Sequence, residues 1–385
     1  MMTPFQFMAA TRVRCAAGGL QALGEEVQTV GGRHVLLVTD PGVRRAGLMD
    51  RAVRVLETAG IPCRVYSAVT PNPSTAVVEE GVSLLKDHGC DCLVALGGGS
   101  AIDTAKAIGI LATHPGPLGA YEGVNKLTAP LPPLIAIPTT AGTGSEVTCV
   151  AVITDPVRHY KAVIRSDSLA PRVALLDAEL LLTLPPPIVA ATGIDAFTHA
   201  YESFVSQATN PVSQALAVEA MRLIARHLRR FYGNPANQDA AEAMLIASTM
   251  AGFAFSSGRV GVIHAMAHPL GGHFNVPHGL ANAILLPYCA DFTRPAVPEL
   301  FCRIAEALGE DVRGLPQEAA GARAVAAIRG LVEDLNIPTS LRQVGADPRA
   351  IDQLTADAVA SGIHATTPRH VTAEAIRELY ALAFH

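Results

Sequence analysis

Two stretches carry residues whose types and spacing suit metal chemistry. The first, GIDAFTHAYE at 193–202, places Asp195 and His199 four residues apart. On a helix that spacing puts both side chains on one face. The second, VIHAMAHPLGGHFNVPHGLANA at 262–283, holds His264, His268, His273 and His278, the first two again four apart. One histidine on an apolar helix is ordinarily a core residue. Two such pairs, one with a carboxylate in an otherwise apolar stretch, call for more, because an unpaired buried Asp195 is costly. A divalent cation removes that cost. One carboxylate with several imidazoles suits iron(II), zinc or a similar first-row metal, whereas calcium and magnesium prefer oxygen ligands. No cysteine joins the set, which argues against a structural cysteine-rich zinc site. Four nitrogen and oxygen ligands with room for one more would polarise a carbonyl or acidify an alcohol. Beside a nicotinamide, that chemistry would be hydride transfer between an alcohol and an aldehyde or ketone.

Two loops could bring such a cofactor. GGGSAIDTAKA at 97–107 follows the apolar run CDCLVAL and opens a helical run. Strand, glycine turn and helix start leave backbone N–H groups pointing outward, a ready site for a phosphate. Taken alone it is a weak signal, since it is not a G-x-G-x-x-G and lacks the downstream acid of that fingerprint. The second loop, PTTAGTGSEVT at 138–148, sets hydroxyl residues and two glycines after another apolar strand. Together the loops point to a dinucleotide site. Asp40 ends the run RHVLLVTD. From composition it reads first as a turn residue before Pro41, but an acid there could also bind an adenosine ribose and repel a 2′-phosphate. Asp103 and Lys106 read as an i,i+3 surface pair.

These residues need elements to position them. In the first half, the runs RHVLLVTD, CRVYSAV, CDCLVAL, PLIAIPTT, VTCVAVITD and RVALLDAEL read as strands, with helical patterns near 43–59, 74–88 and 101–113. That alternation predicts an α/β domain with a mostly parallel sheet. After LLTLPPPIVAATG the patterns are helical, over 210–232, 236–255, 315–335 and 372–383. The expected domains are therefore 1–185, α/β, and 186–385, all-α.

Composition supports a globular protein of about two domains. Half of the 385 residues are hydrophobic and 16% are charged, with a net charge of −5. That balance argues against a nucleic-acid partner. No apolar run reaches the roughly 18 residues of a membrane span, and MMTPFQFMAATRVRC lacks the pattern of a signal peptide. The seven cysteines sit in or beside apolar runs, as free thiols do in a reducing cytoplasm.

TDPGV, PNPS, GGGSAIDTAKA, IPTTAGTGSEVT, GIDAFTHAYE and HAMAHPLGGHFNVPHGLANAILLP occur here in that order. At these motifs, and over essentially its whole length, the chain resembles the iron-containing (group III) alcohol dehydrogenase family. The resemblance implies a dehydroquinate synthase-like fold, with an N-terminal NAD-binding domain and a helical metal-binding domain. It implies Asp195, His199, His264 and His278 as metal ligands, with Fe2+ first and Zn2+ as the alternative. It implies that His268 lies near the nicotinamide and helps relay the proton. By the same motif matching, Gly98, Gly99 and Ser100 form the pyrophosphate turn, and Thr139, Thr140 and Thr143 the second cofactor loop. Asp40, Asn72 and Lys161 match cofactor contacts, and Asp40 then favours NAD over NADP. A small alcohol or aldehyde substrate, no membrane or nucleic-acid partner, and a homodimer or larger homo-oligomer are expected.

Related enzymes offer alternatives. Glycerol dehydrogenases and dehydroquinate synthases share the glycine turn but have a different ligand set, and D-x-x-x-H in GIDAFTHA points to the alcohol dehydrogenase branch. A maleylacetate reductase or hydroxy-acid dehydrogenase is a second reading, and a non-catalytic nucleotide- or metal-binding protein a third. Ser256, Ser257 and Arg259 depart from the family pattern in a segment expected near the substrate, and Thr367 departs from it near the C-terminus. Arg259 reads either as a solvated helix end or as a group that attracts an anionic substrate.

Overall fold

The computed structural model describes residues 4–156 and 160–385. The first three residues of the stretch read for a leader lie outside that range. The chain forms two compact units. One is Ala9–Thr140 with Gly144–Thr183; the other is Leu184–His385 with Ala141–Thr143 and the N-terminal stretch to Met8.

The first unit contains strands β1 (Arg12–Cys15), β2 (Val35–Val38), β3 (Cys63–Tyr66), β4 (Cys92–Gly97), β5 (Gly123–Val124), β6 (Leu134–Pro138), β7 (Val150–Asp155), β8 (Tyr160–Arg165) and β9 (Val173–Leu176). Its helices are α1 (Leu23–Thr29), α2 (Pro41–Arg45), α3 (Leu48–Thr58), α4 (Thr75–Asp87) and α5 (Gly99–Thr113). Six strands form one sheet in the order β1-β9-β6-β4-β2-β3, parallel throughout. The central strands are buried along their whole length, which is why they read as unbroken Val, Leu, Ile and Ala. The expectation of an α/β unit with a parallel sheet is met. A smaller sheet, in the order β5-β8-β7, was not expected, and its β7–β8 pair is antiparallel. The helix read over 43–59 divides into α2 and α3 at Gly47, whose φ of 73° is left-handed.

The second unit is helical: α6 (Pro186–Val205), α7 (Pro211–Gly233), α8 (Gln238–Gly258), α9 (Val262–Phe274), α10 (His278–Thr293), α11 (Pro298–Ala307), α12 (Gln317–Asp334), α13 (Ile351–Ala360) and α14 (Ala373–Ala383). Two of the three prolines read as a boundary occupy the first turn of α6, where a missing N–H is harmless. From Gly193 to Val205 every residue of α6 is buried, so this helix is packed all round. A Cβ on Gly193 would lie 2.2 Å from Leu228 Cδ1 of α7. Among the described residues no helix is long and apolar enough to cross a membrane.

Candidate metal centre and cofactor loops

Three helices of the second unit bring four side chains together. Asp195 and His199 stand one turn apart on α6, His264 lies in the first turn of α9, and His278 is the first residue of α10. One ligand atom from each lies within 4.8 Å of all the others. Asp195, His199 and His264 are buried and His278 is half-buried. The rings of His199 and His264 lie 4.6 Å apart between centroids, and those of His264 and His278 5.2 Å.

The imidazoles are held in ligand-ready form. Burial pulls His264 down to about 3, so its ring is neutral near pH 7. Its Nδ1 donates to Glu202 Oε2 at 2.6 Å, leaving the Nε2 lone pair for the cluster. Glu202 is itself buried, and accepts the Ile263 N–H at 2.7 Å. Burial pushes its carboxyl up to about 7, although N–H groups of Gly261, Ile263 and His264 oppose the shift. His199 Nδ1 lies 3.3 Å from the carbonyl oxygen of Gly142. An oxygen there can only accept, so the proton sits on Nδ1 and Nε2 is free to ligate. That approach needs glycine, since a Cβ on Gly142 would come within 2.6 Å of Thr192 Cβ.

Asn282 completes the surroundings. Its Nδ2 donates to Asp195 Oδ1 at 2.7 Å and lies 3.2 Å from Nε2 of both His264 and His278. Its Oδ1 is buried without a hydrogen-bond partner. A buried carboxylate, two imidazoles held from behind through Nδ1 and an orphaned amide oxygen fit a first-row divalent cation. Asp195, His199, His264 and His278 would hold it. His268, one turn after His264, stands outside the four; its ring is 5.4 Å from that of His278 and 6.2 Å from that of His264.

Glu202 and Asn282 are not among the residues expected from the sequence. The signal for Glu202 is its place after Asp195 and His199, at i+7 on the same face of α6. Asn282 stands four after His278 on α10, the same kind of spacing.

In the first unit the cofactor candidates collect at the carboxyl ends of β2, β4 and β6, the edge where ligands of open α/β sheets bind. Asp40 caps α2: its Oδ1 accepts the N–H groups of Gly42 and Val43 at 2.7 and 3.0 Å. Its Oδ2 points to the glycine turn, 3.2 Å from where a Gly97 Cβ would sit. Gly98 is the N-cap of α5, with Gly99 and Ser100 beginning the helix. Thr139 N–H donates to Gly97 O at 3.1 Å, and Thr140 Oγ1 is 3.2 Å from a Gly98 Cβ position. Five of the cofactor candidates therefore share one neighbourhood with Asp40: Gly98, Gly99, Ser100, Thr139 and Thr140. Thr143 is not grouped with them; it belongs to the second unit. Asn72, at φ 52°, precedes Pro73, whose carbonyl accepts the Thr154 N–H at 2.8 Å. Thr154 in turn faces Lys161 across the β7–β8 ladder, so these two candidates lie near each other by the smaller sheet.

Asp103 and Lys106 are not a surface pair: the Lys106 side chain is fully buried and Asp103 is half-buried. Thr367 caps a helix, its Oγ1 accepting the Val262 N–H at 3.0 Å. Arg259 is exposed at the end of α8, with φ 64° and ψ 173°.

Comparison with known proteins agrees with this geometry. Residues 10–178 match the family of iron-containing alcohol dehydrogenases. Residues 189–384 match the C-terminal part of the same family. The 1,3-propanediol dehydrogenase of Klebsiella pneumoniae is 42% identical over 367 residues, 95% of this chain and 95% of its own. A crystal structure of 1,3-propanediol oxidoreductase superposes with a TM-score of 0.97 at 40% identity, covering 99% of this chain and 100% of that one. The sulfoacetaldehyde reductase of Bifidobacterium kashiwanohense, solved in complex with NAD+, gives 0.87 at 28% identity over 99% of each chain. With both of its units matched, the chain belongs to the iron-containing alcohol dehydrogenase family and is a metal-dependent oxidoreductase of alcohols and aldehydes.

Proposed function

We propose that this enzyme uses NAD(H) and iron(II) to interconvert a small primary alcohol and its aldehyde. The observation that carries the reading is the cluster of Asp195, His199, His264 and His278, with Glu202 and Gly142 fixing two imidazole tautomers. Bound there, iron(II) would supply Lewis acidity toward the substrate oxygen; zinc is the alternative occupant. The helical unit would then hold the metal and the α/β unit the dinucleotide. Gly98, Gly99 and Ser100 would receive the pyrophosphate at the start of α5. Thr139, Thr140 and Thr143 would line the second loop, with Asn72 and Lys161 adding contacts. Asp40 would direct Oδ2 to the adenosine ribose while Oδ1 keeps α2 capped. Reduction of an aldehyde consumes one hydride from NADH and one proton. His268, half-buried beside His278, would pass that proton between the substrate oxygen and solvent.

The relatives suggest short alcohols, including diols, as substrates. We also place the enzyme in the cytoplasm, as a homodimer or larger assembly; its free thiols support a reducing compartment. NADH and NADPH oxidation with propanal tests the cofactor assignment. The expected result is at least about tenfold preference for NADH in kcat/KM, reduced in Asp40→Ser, which keeps a capping oxygen. Equal use of both cofactors by the unaltered enzyme would reject the role of Asp40.

A further inference from the structure

Lys106 sits in the middle of α5 with its side chain wholly out of solvent. An ammonium has three hydrogens to donate and no lone pair. Around Nζ lie Ser145 O at 2.7 Å, Val150 O at 2.8 Å, Thr148 O and Oγ1 at 3.0 Å, and Ser145 Oγ at 3.1 Å. Asp103, one turn earlier, has Oδ1 at 3.9 Å from Nζ. The same Oδ1 accepts from Ser145 Oγ, and Oδ2 accepts the Val152 N–H at 3.0 Å.

Apart from Asp103 itself, every one of these partners belongs to residues 145–152, the segment that leaves the hydroxyl-rich loop and becomes β7. A packing role would be met by Leu or Met, without the desolvation of a charge. What a lysine adds is the satisfaction of three backbone carbonyls at once in a segment that has no regular ladder of its own until Val150. Burial draws Lys106 down and Asp103 up, and each opposes the shift of the other. The helix that carries this pair begins at the glycine turn. A single rigid element thus sets the position of the first cofactor loop by its N-terminus and of the second by the side chains of its second turn.

We propose that Lys106, with Asp103 as its counter-ion, is a positioning residue for the dinucleotide: it holds residues 145–150 so that Thr139 and Thr140 stand against the glycine turn. This rests on the NAD reading above. It assigns Lys106 no contact with substrate or cofactor.

The test is Lys106→Met in the metal-loaded enzyme, read by NADH fluorescence titration, steady-state kinetics, bound metal and amide hydrogen exchange. The NADH Kd should rise at least about tenfold, the loss of one charge-assisted anchor. At saturating NADH, kcat should fall by less than about threefold, with aldehyde KM and metal content unchanged. Amides of 139–150 should exchange faster while those of α6 and α9 do not. Should Lys106→Met not fold, Ser145→Ala removes one partner of both Lys106 and Asp103 and should raise Kd in the same direction. A folded variant with wild-type Kd and unchanged exchange at 139–150 overturns the proposal. A wild-type enzyme that binds no NADH is a separate result: it rejects the NAD reading, and the positioning role with it.

Discussion

Glu202 illustrates how much of the metal centre lies behind the ligands. Its carboxylate fixes the His264 tautomer at 2.6 Å and also accepts the first N–H groups of α9. Glu202→Gln would place an amide against Nδ1–H. We expect metal affinity to fall about 10- to 100-fold, measured by competition with a chromophoric chelator; unchanged affinity would show that His264 needs no such support. Arg259 makes a different case. Its φ of 64° with ψ 173° is a conformation that side chains other than glycine rarely adopt. Arg259→Gly should therefore stabilise the fold by about 1 kcal/mol in denaturant unfolding. If the guanidinium selects anionic aldehydes, the same variant should lose kcat/KM for carboxylated aldehydes alone; an unchanged preference leaves only the helix end. At this scale the ligand candidates were legible, because histidines and an acid at helical spacing in apolar surroundings are chemically conspicuous. Lys106 was not. Its partners lie in a distant loop, and nothing in DTAKA distinguishes a solvated lysine from a buried one.

The elements hold these residues in register. Gly279 follows His278 in the first turn of α10, where a Cβ would fall 2.4 Å from Ala191 O and 3.2 Å from Asp195 Cβ. Gly279→Ala should force α10 away from α6, costing about 1–3 kcal/mol. It should also lower bound metal, because His278 moves relative to Asp195; a variant with full metal content would contradict the coupling. Long helices and buried parallel strands were readable from their periodicity. β1, β5 and β8 were not, each for its own reason. RVRC in β1 is a mostly exposed edge strand with two arginines, β5 has only two residues, and YKAVIR in β8 alternates between faces without a strong apolar run. The break at Gly47 shows the same limit, since one left-handed glycine divides what looks like a continuous helix.

Over the whole molecule, acid stability depends on carboxylates held down by donors. Burial pushes the Glu26 carboxyl up, but Arg12 and Arg14 outweigh it and hold it below the usual range. Asp91 is likewise lowered, against burial, by the N–H groups of Arg33 and His34 and the Arg33 side chain. A carboxyl whose folded pKa is depressed contributes stability that is complete above its unfolded value, roughly 4. That contribution is lost as pH falls through the depressed folded value. The fall of the unfolding midpoint below about pH 4 should thus be less steep in Glu26→Gln than in the unaltered protein; an unchanged slope would show that Glu26 contributes nothing to acid stability. Turnover should require a metal bound by Asp195, His199, His264 and His278. The most direct measurement is NADH consumption with propanal by chelator-stripped protein, before and after anaerobic reloading with iron(II). Turnover should be lost on stripping and should return in proportion to the iron taken up. Folded, metal-free protein that consumes NADH as fast as the reloaded enzyme would contradict it.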